Sequence, residues 1–416
     1  MEAKMNKIKF GVIGLGSRGS SMIKNNFINF DEVEFVVVCD EYEDRVEASA
    51  QFIKEKRGVE PIKTTDFREA LASGVEAVYI STSWESHIMI AIEAMKAGVA
   101  VALEVGGAYS IDECFDLVRT YEETGTPLMF MENCCFNKHE LLATAMARAG
   151  KFGTIVHCSG AYGHDLREEI TYGNINRHYR LRNYKARNCE NYPTHELGPI
   201  AKILNINRGN RMVSLVSVAS KGVGLEEYVK EHNLKEKDPT LENAVFHQGD
   251  IVTTIIKCAG GETITLRLDT TLPRSYSREF TVRGTKGSYE MDTHTVFLDG
   301  DEEMWDPAKY YEKNLNNAQK YEAEFLPDIW SNMTEAQLKS GHGGMDGFLF
   351  AEFVHAIQNK TEMVMDVYDA ASWMCISALS EASVAQGGMP QAIPDFTNGK
   401  WLIRKPLDVI DFSKNK

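Results

Sequence analysis

The chain is 416 residues long, more than one core comfortably serves, so two domains are expected. Its 60 acidic against 45 basic residues leave a net charge of −15, which counts against a nucleic-acid partner or an anionic membrane surface. The apolar runs, such as FVVVC, are too short to span a bilayer.

Residues 1–7 are charged and lack an apolar export segment, and the eight cysteines show no CxxC spacing. Together these predict a cytoplasmic protein with reduced thiols.

KIKFGVIGLGSRGSSMIKNNF has the order strand, tight turn, helix. Gly14, Gly16 and Gly19 form G-x-G-x-x-G, in which the first glycine makes the turn. The second admits a pyrophosphate and the third lets helix and strand pack closely. The following helix N-terminus, with Ser17 and Arg18, faces the phosphates. The next strand, EFVVVCD, ends at Asp40, about 20 residues on, where a carboxylate accepts a ribose diol and repels a 2′-phosphate. NAD is the expected cofactor.

Helix Val46–Lys56, strand AVYISTS, helix SHIMIAIEAMKAG, strand VAVALEV, helix IDECFDLVRTYEETG and strand PLMFMEN then alternate, as in a doubly wound parallel sheet. Ligands of such sheets lie beyond the strands' carboxyl ends, which here carry Trp84, His87, Glu104 and Glu132.

From Lys138 the pattern changes. TIVHCSGAYGHD starts a new set of strands, with Tyr162 and His164 on one face of an extended segment. Hairpins are predicted around Ala259-Gly260-Gly261 and Gly284–Gly287, so this sheet is mostly antiparallel. A charged surface excursion fills 299–339, and helices return over 347–360 and 366–386. The fold class is therefore α/β, a Rossmann domain over 1–136 followed by an α+β domain with an open, mostly antiparallel sheet over 137–416. Polar candidates in the second domain are Tyr162, His164, Tyr179, Tyr192, His195, Tyr276 and His342. The Tyr-x-x-His of YPTH stands just ahead of the apolar run IAKILNI. No H-x-x-x-H spacing occurs, so no metal is expected, and proton transfer by Tyr and His beside a nicotinamide is the predicted chemistry.

These residues resemble the Gfo/Idh/MocA oxidoreductases and, within them, glycoside hydrolase family 109, the NAD-dependent α-N-acetylgalactosaminidases. The resemblance runs from GLGSRG and STSWESH through GAYGHDLR, NYPTHELGPIAKILNINRGNR and DTTLPRSYSREFTVRGTKGSYE to GHGGMD and PDFTNGKW. Dehydrogenases of the wider group carry Glu-Lys-Pro after the fifth strand, where this chain reads Glu104-Val105-Gly106, without the lysine.

The resemblance implies a redox-neutral glycosidase. A tightly held NAD⁺ oxidises the sugar at C3, a base removes the C2 proton, the C1 substituent leaves, water adds, and C3 is reduced again. It implies His195 at the C3 hydroxyl and Tyr162 as the base at C2. His164, Tyr179, Tyr192, Tyr276 and Glu132 would line the sugar or hold those groups. Glu196 stands where the family has glycine, a change expected to bear on which sugar is accepted. A small glycoside partner and a homodimer or homotetramer, assembled through the open sheet, follow from the same resemblance. The alternatives are a net sugar 3-dehydrogenase that releases NADH and a non-catalytic NAD-binding protein.

Overall fold

In the computed structural model, which describes residues 7–302, 304–334 and 341–412, the first apolar run forms strand β1 (Ile8–Ile13). The reading of residues 1–6, and the part of the charged excursion at 303 and 335–340, lie outside the described residues.

Five strands extend β1 in parallel: β2 (Val33–Cys39), β3 (Ile62–Thr64), β4 (Ala77–Ile80), β5 (Ala100–Leu103) and β6 (Leu128–Phe130). Their order is β3-β2-β1-β4-β5-β6, so the direction of winding reverses between β1 and β4, where such sheets hold ligands. Parallel neighbours need crossovers, supplied by α1 (Ser17–Asn25), α2 (Glu43–Arg57), α3 (Phe67–Ala72), α4 (His87–Lys96) and α5 (Ile111–Thr124). Strands β4 and β5 are buried at every residue, which explains their unbroken apolar sequence. The sequence reading passes over β3 and α3. Strand β3 has three residues, two of them exposed, and so carries no apolar period.

By its contacts the chain divides into two compact units, Met1–Asn133 with Met333–Ala371, and Cys134–Asn332 with Ser372–Lys416. The returning segment of the first unit contains helix Met345–Asn359. Its Phe350 ring lies 4.3 Å from Phe27, 4.8 Å from Phe30 and 5.3 Å from Phe10, an aromatic core worth more than its area alone. One turn earlier, Asp346 accepts from Arg18 Nη1 at 2.7 Å and Nη2 at 2.9 Å, while Arg18 Nε donates to Glu104 at 2.8 Å. This junction pins the glycine turn, β5 and the returning helix together.

The second unit is built on eight strands: β7 (Ile155–Gly163), β8 (Met212–Ala219), β9 (Ile251–Cys258), β10 (Thr263–Asp269), β11 (Thr281–Gly284), β12 (Gly287–Glu290), β13 (Thr295–Leu298) and β14 (Gln391–Ala392). Their order is β13-β12-β11-β7-β10-β9-β8-β14. Every pairing is antiparallel except β7 with β10, so the sheet is open and mostly antiparallel as the hairpin signals indicate. The sequence reading assigns no strand to MVSLVSVA, where serines interrupt the apolar run. Strand β8 forms there because β9 offers it a full ladder of partners. The helix expected from IAKILNI starts earlier, at Thr194, and carries Pro199 inside it, so His195 and Glu196 lie in its first turn. Among the described residues no helix is long and apolar enough to cross a membrane, and all eight cysteines are free and buried.

Burial pushes the Asp346 carboxyl up, but Arg18 and His342 outweigh it and hold the group well below the usual carboxylate range. Asp346→Ala is expected to lower unfolding stability by about 2 kcal/mol. That is below the usual loss for a broken buried pair, because Arg18 is partly exposed and keeps Glu104. The depressed group stabilises the fold above the unfolded value and loses that contribution as pH falls. The gap between variant and parent in urea denaturation should therefore be constant near neutrality and close below about pH 4.

Candidate active site

The glycine turn has the form that pyrophosphate binding requires. Gly14 adopts φ +94°, and a Cβ there would lie 2.6 Å from the Ser81 backbone. A Cβ on Gly19 would sit 1.9 Å from the Gly14 carbonyl oxygen, so α1 could not approach β1 with any larger residue. Gly16 differs: a Cβ there meets nothing nearer than Arg45 Nη1 at 3.6 Å, leaving the space above the α1 N-terminus open. The Ser17 and Arg18 backbones form the first turn of α1. Asp40, buried at the end of β2, accepts the backbone N–H of Leu15 at 2.6 Å and of Tyr42 at 3.0 Å. Each carboxylate oxygen retains a second lone pair. The turn thus fits a dinucleotide.

The other predicted cofactor residues of this unit meet at the ends of β4 and β5. Glu104 is bonded to Arg18 and accepts from Tyr79 Oη at 2.5 Å, so both charged groups hold the loop in shape. Trp84 and His87 are buried side by side around Gly106, where a Cβ would fall 2.3 Å from Trp84 Cδ1 and 2.8 Å from His87 Cε1. Glycine is thus required at position 106. Burial pushes His87 down to about 4, so it is neutral at pH 7. Glu132 follows β6 and is fully buried in the same region of the sequence. Asp346 and His342, in GHGGMD, complete the Arg18 junction, with His342 Nδ1 2.8 Å from Asp346 Oδ2.

In the second unit all six predicted Tyr and His residues fall into one cluster. Tyr162 ends β7, with its Oη 3.3 Å from His164 Nδ1. Tyr192 Oη lies 3.3 Å from His195 Nε2. The two pairs interlock, with ring centroids 4.5 Å apart for Tyr162 and Tyr192 and 5.5 Å for Tyr162 and His195. Tyr276 packs edge-on against His164 at 5.1 Å. Tyr179 joins through Arg180, whose guanidinium hydrogen-bonds both Tyr162 and Tyr179. That guanidinium also sits 5.1 Å from the Tyr192 ring centroid and pairs with Glu169 at 3.0 Å.

Arg180 and Glu169 are the functional-looking pair that sequence reasoning missed. Arg180 stands in a run of basic residues, RHYRLR, that reads as a solvated surface, yet it is buried. Burial raises the Tyr162 phenol well above its ordinary value, and Arg180 opposes that rise. His164 is lowered, first by burial and then by Arg180, so it is neutral at pH 7. The arrangement offers a phenol hydroxyl beside an imidazole, twice over, with one cation at the centre.

A nucleotide-binding parallel unit followed by an open-sheet unit bearing polar proton-transfer groups defines the class of Gfo/Idh/MocA-type oxidoreductase folds. Residues 8–132 match the oxidoreductase family with the NAD-binding Rossmann fold, and residues 136–403 match the C-terminal domain of glycosyl hydrolase 109. The chain is 36% identical to an α-N-acetylgalactosaminidase of Tannerella forsythia, over 96% of this chain and 88% of that one. It is also 36% identical to a glycosyl hydrolase family 109 protein of Stenotrophomonas maltophilia, over 98% and 93%. Among solved structures, a levoglucosan dehydrogenase complex with NADH and levoglucosan superposes with TM-score 0.68 at 18% identity, covering 94% and 100%. The chain belongs to glycosyl hydrolase family 109, a family of NAD-dependent glycoside hydrolases.

Two glycine substitutions separate binding from folding. Gly16→Val, which meets open space, should leave the melting temperature near that of the parent while retained NAD falls at least about tenfold. Gly106→Ala must displace Trp84 and should cost about 1–3 kcal/mol in denaturant unfolding.

Proposed function

We propose that this protein is a glycosidase that works with a tightly bound NAD⁺ in a redox-neutral cycle on terminal α-N-acetylgalactosaminides or closely related glycosides. The observation that carries this reading is the pairing of Tyr162 with His164 and of Tyr192 with His195 around Arg180. The α-N-acetylgalactosaminidases among the relatives support the sugar, and the missing Glu-Lys-Pro lysine favours hydrolysis over net dehydrogenation.

Gly14, Gly16, Ser17 and Asp40 would hold NAD⁺, with Arg18, Trp84, His87 and Glu104 shaping the site, and the bound nicotinamide would supply reversible hydride chemistry at the sugar C3. His195, backed by the Tyr192 hydroxyl, takes the C3 hydroxyl proton. The ketone so formed at C3 acidifies the proton on C2. Tyr162 removes that proton while passing its own hydroxyl proton to His164 Nδ1, 3.3 Å away. Neutral His164 has the lone pair for this, and Arg180 stabilises the phenolate character that develops on Tyr162. The C1–O bond breaks and the departing aglycone oxygen takes a proton from water, whose hydroxide adds at C1, and the same pair, its proton exchanged with solvent, delivers a proton to C2. His195 then gives its proton back to the C3 oxygen. Tyr179, Tyr276 and Glu132 orient the sugar. The net reaction is hydrolysis.

Proton NMR in D₂O, on purified protein without added cofactor and with a nitrophenyl α-N-acetylgalactosaminide, should give sugar release with deuterium at C2. Continuous NADH formation on supplied NAD⁺, without sugar release, would instead establish the sugar 3-dehydrogenase. Tyr162→Phe and His195→Ala should each lower kcat by about 10²- to 10⁴-fold while retaining NAD. Full turnover by either variant would overturn its role. Because His164 must be neutral and its value is lowered from 6.5, the acid limb of kcat/KM should fall below that of an ordinary histidine.

A further inference from the structure

Outside the tyrosine cluster, the second unit brings together two histidines and a tyrosine that are far apart in sequence. His139 opens helix α6 (Lys138–Arg148), Tyr289 lies in β12, and His294 occupies the turn between β12 and β13. His139 Nδ1 is 3.0 Å from His294 Nδ1, and the Tyr289 hydroxyl is 3.2 Å from each of them. Three donor atoms thus form a nearly equilateral triangle. For bonds of roughly 2.05 Å to a common centre, separations of 3.0–3.2 Å subtend about 94–103°, between octahedral and tetrahedral angles.

Two further features fit a metal. Glu322 Oε1 lies 3.3 Å from His294 Nε2, the outer nitrogen. A carboxylate on that side favours the proton on Nε2 and leaves the Nδ1 lone pair for a metal, as carboxylates beside metal-binding histidines generally do. His294 lies in the left-handed region at φ +46°, a turn conformation that histidine adopts more readily than most residues. The nearest cations are already balanced, Lys138 by Glu322 at 2.8 Å and Arg278 by Glu140 at 2.6 Å.

We propose that His139, His294 and Tyr289 bind one divalent first-row transition-metal ion, with Glu322 orienting His294 and the remaining positions left to water. Nitrogen donors with one oxygen suit Zn²⁺, Co²⁺ or Cu²⁺ better than Mg²⁺ or Ca²⁺. On binding, the phenol proton leaves to solvent and the phenolate becomes the third ligand. The site ties α6, the β12–β13 hairpin and helix Gln319–Phe325 to one centre, so its role is to fix that edge of the sheet.

The test is calorimetric titration of the full-length, chelator-stripped protein with Zn²⁺, with Co²⁺ absorption as a second probe of the ligands. One ion per chain should bind and raise the melting temperature. Bound Co²⁺ should give the visible bands of a low-coordinate nitrogen–oxygen site. His139→Gln and His294→Gln should each weaken Zn²⁺ by at least about 100-fold, and Glu322→Gln by about 10- to 100-fold. Tyr289→Phe, which keeps the buried ring, serves if a histidine variant fails to fold, and should weaken Zn²⁺ and alter the Co²⁺ spectrum. No binding by the parent protein, or parent-like binding by the His139, His294 and Tyr289 variants, would overturn the proposal.

Discussion

Several phenols buried around one guanidinium form the constraint on which the second unit's chemistry rests. Tyr162, Tyr179 and Tyr184 are each raised by burial, and each is pulled back by Arg180. Arg180 is itself buried, and its charge is held by Glu169 and by the tyrosines it serves. A buried cation with good partners is costly to isolate, so removing any one of them disturbs the rest. This mutual dependence explains why the second-unit tyrosines and histidines singled out in the sequence occupy one cluster. It also assigns Glu169, an exposed residue in the middle of the short helix Arg167–Thr171, a part that its surface position would not suggest.

The first unit follows a similar logic with different groups. Its glycine turn is shaped by steric necessity at Gly14 and Gly19 and held from outside by the Arg18 junction. The charges of Arg18 and Glu104 face each other, so backbone N–H groups and the helix end remain for an anionic ligand. Gly106 shows how a departure from a motif can have a packing cause. Once Trp84 and His87 are buried at that strand end, no side chain fits beside them.

Much of this was legible beforehand because periodicity and glycine spacing are local signals. The parallel sheet, the two predicted hairpins and the strand bearing Tyr162 all follow from short stretches of sequence. What escaped was non-local. Strand β8 depends on β9 for its partners, β3 is an edge of three residues, and Arg180 looks like surface until the fold buries it. The helix carrying His195 starts at Thr194, six residues before the IAKILNI run, a start hidden in the sequence because Gly198-Pro199 reads as a break. Proline inside a helix is tolerated here by close packing against β7, where Gly160 leaves room for Glu196. His139 and His294 carry no recognisable spacing, since only the sheet brings them together.

The return of 333–371 to the first unit has a consequence for how the protein is made. Arg18 and Asp346 are 328 residues apart, and Phe350 must reach back to Phe10 and Phe27. On the ribosome the N-terminal sheet can assemble its strands early, but it cannot complete its core until the second unit has been synthesised. The usual order, in which an N-terminal domain finishes folding first, is therefore unavailable. A nascent chain stalled before residue 346 would expose the aromatic face that Phe350 covers, and it would be a substrate for chaperones rather than a half-built enzyme.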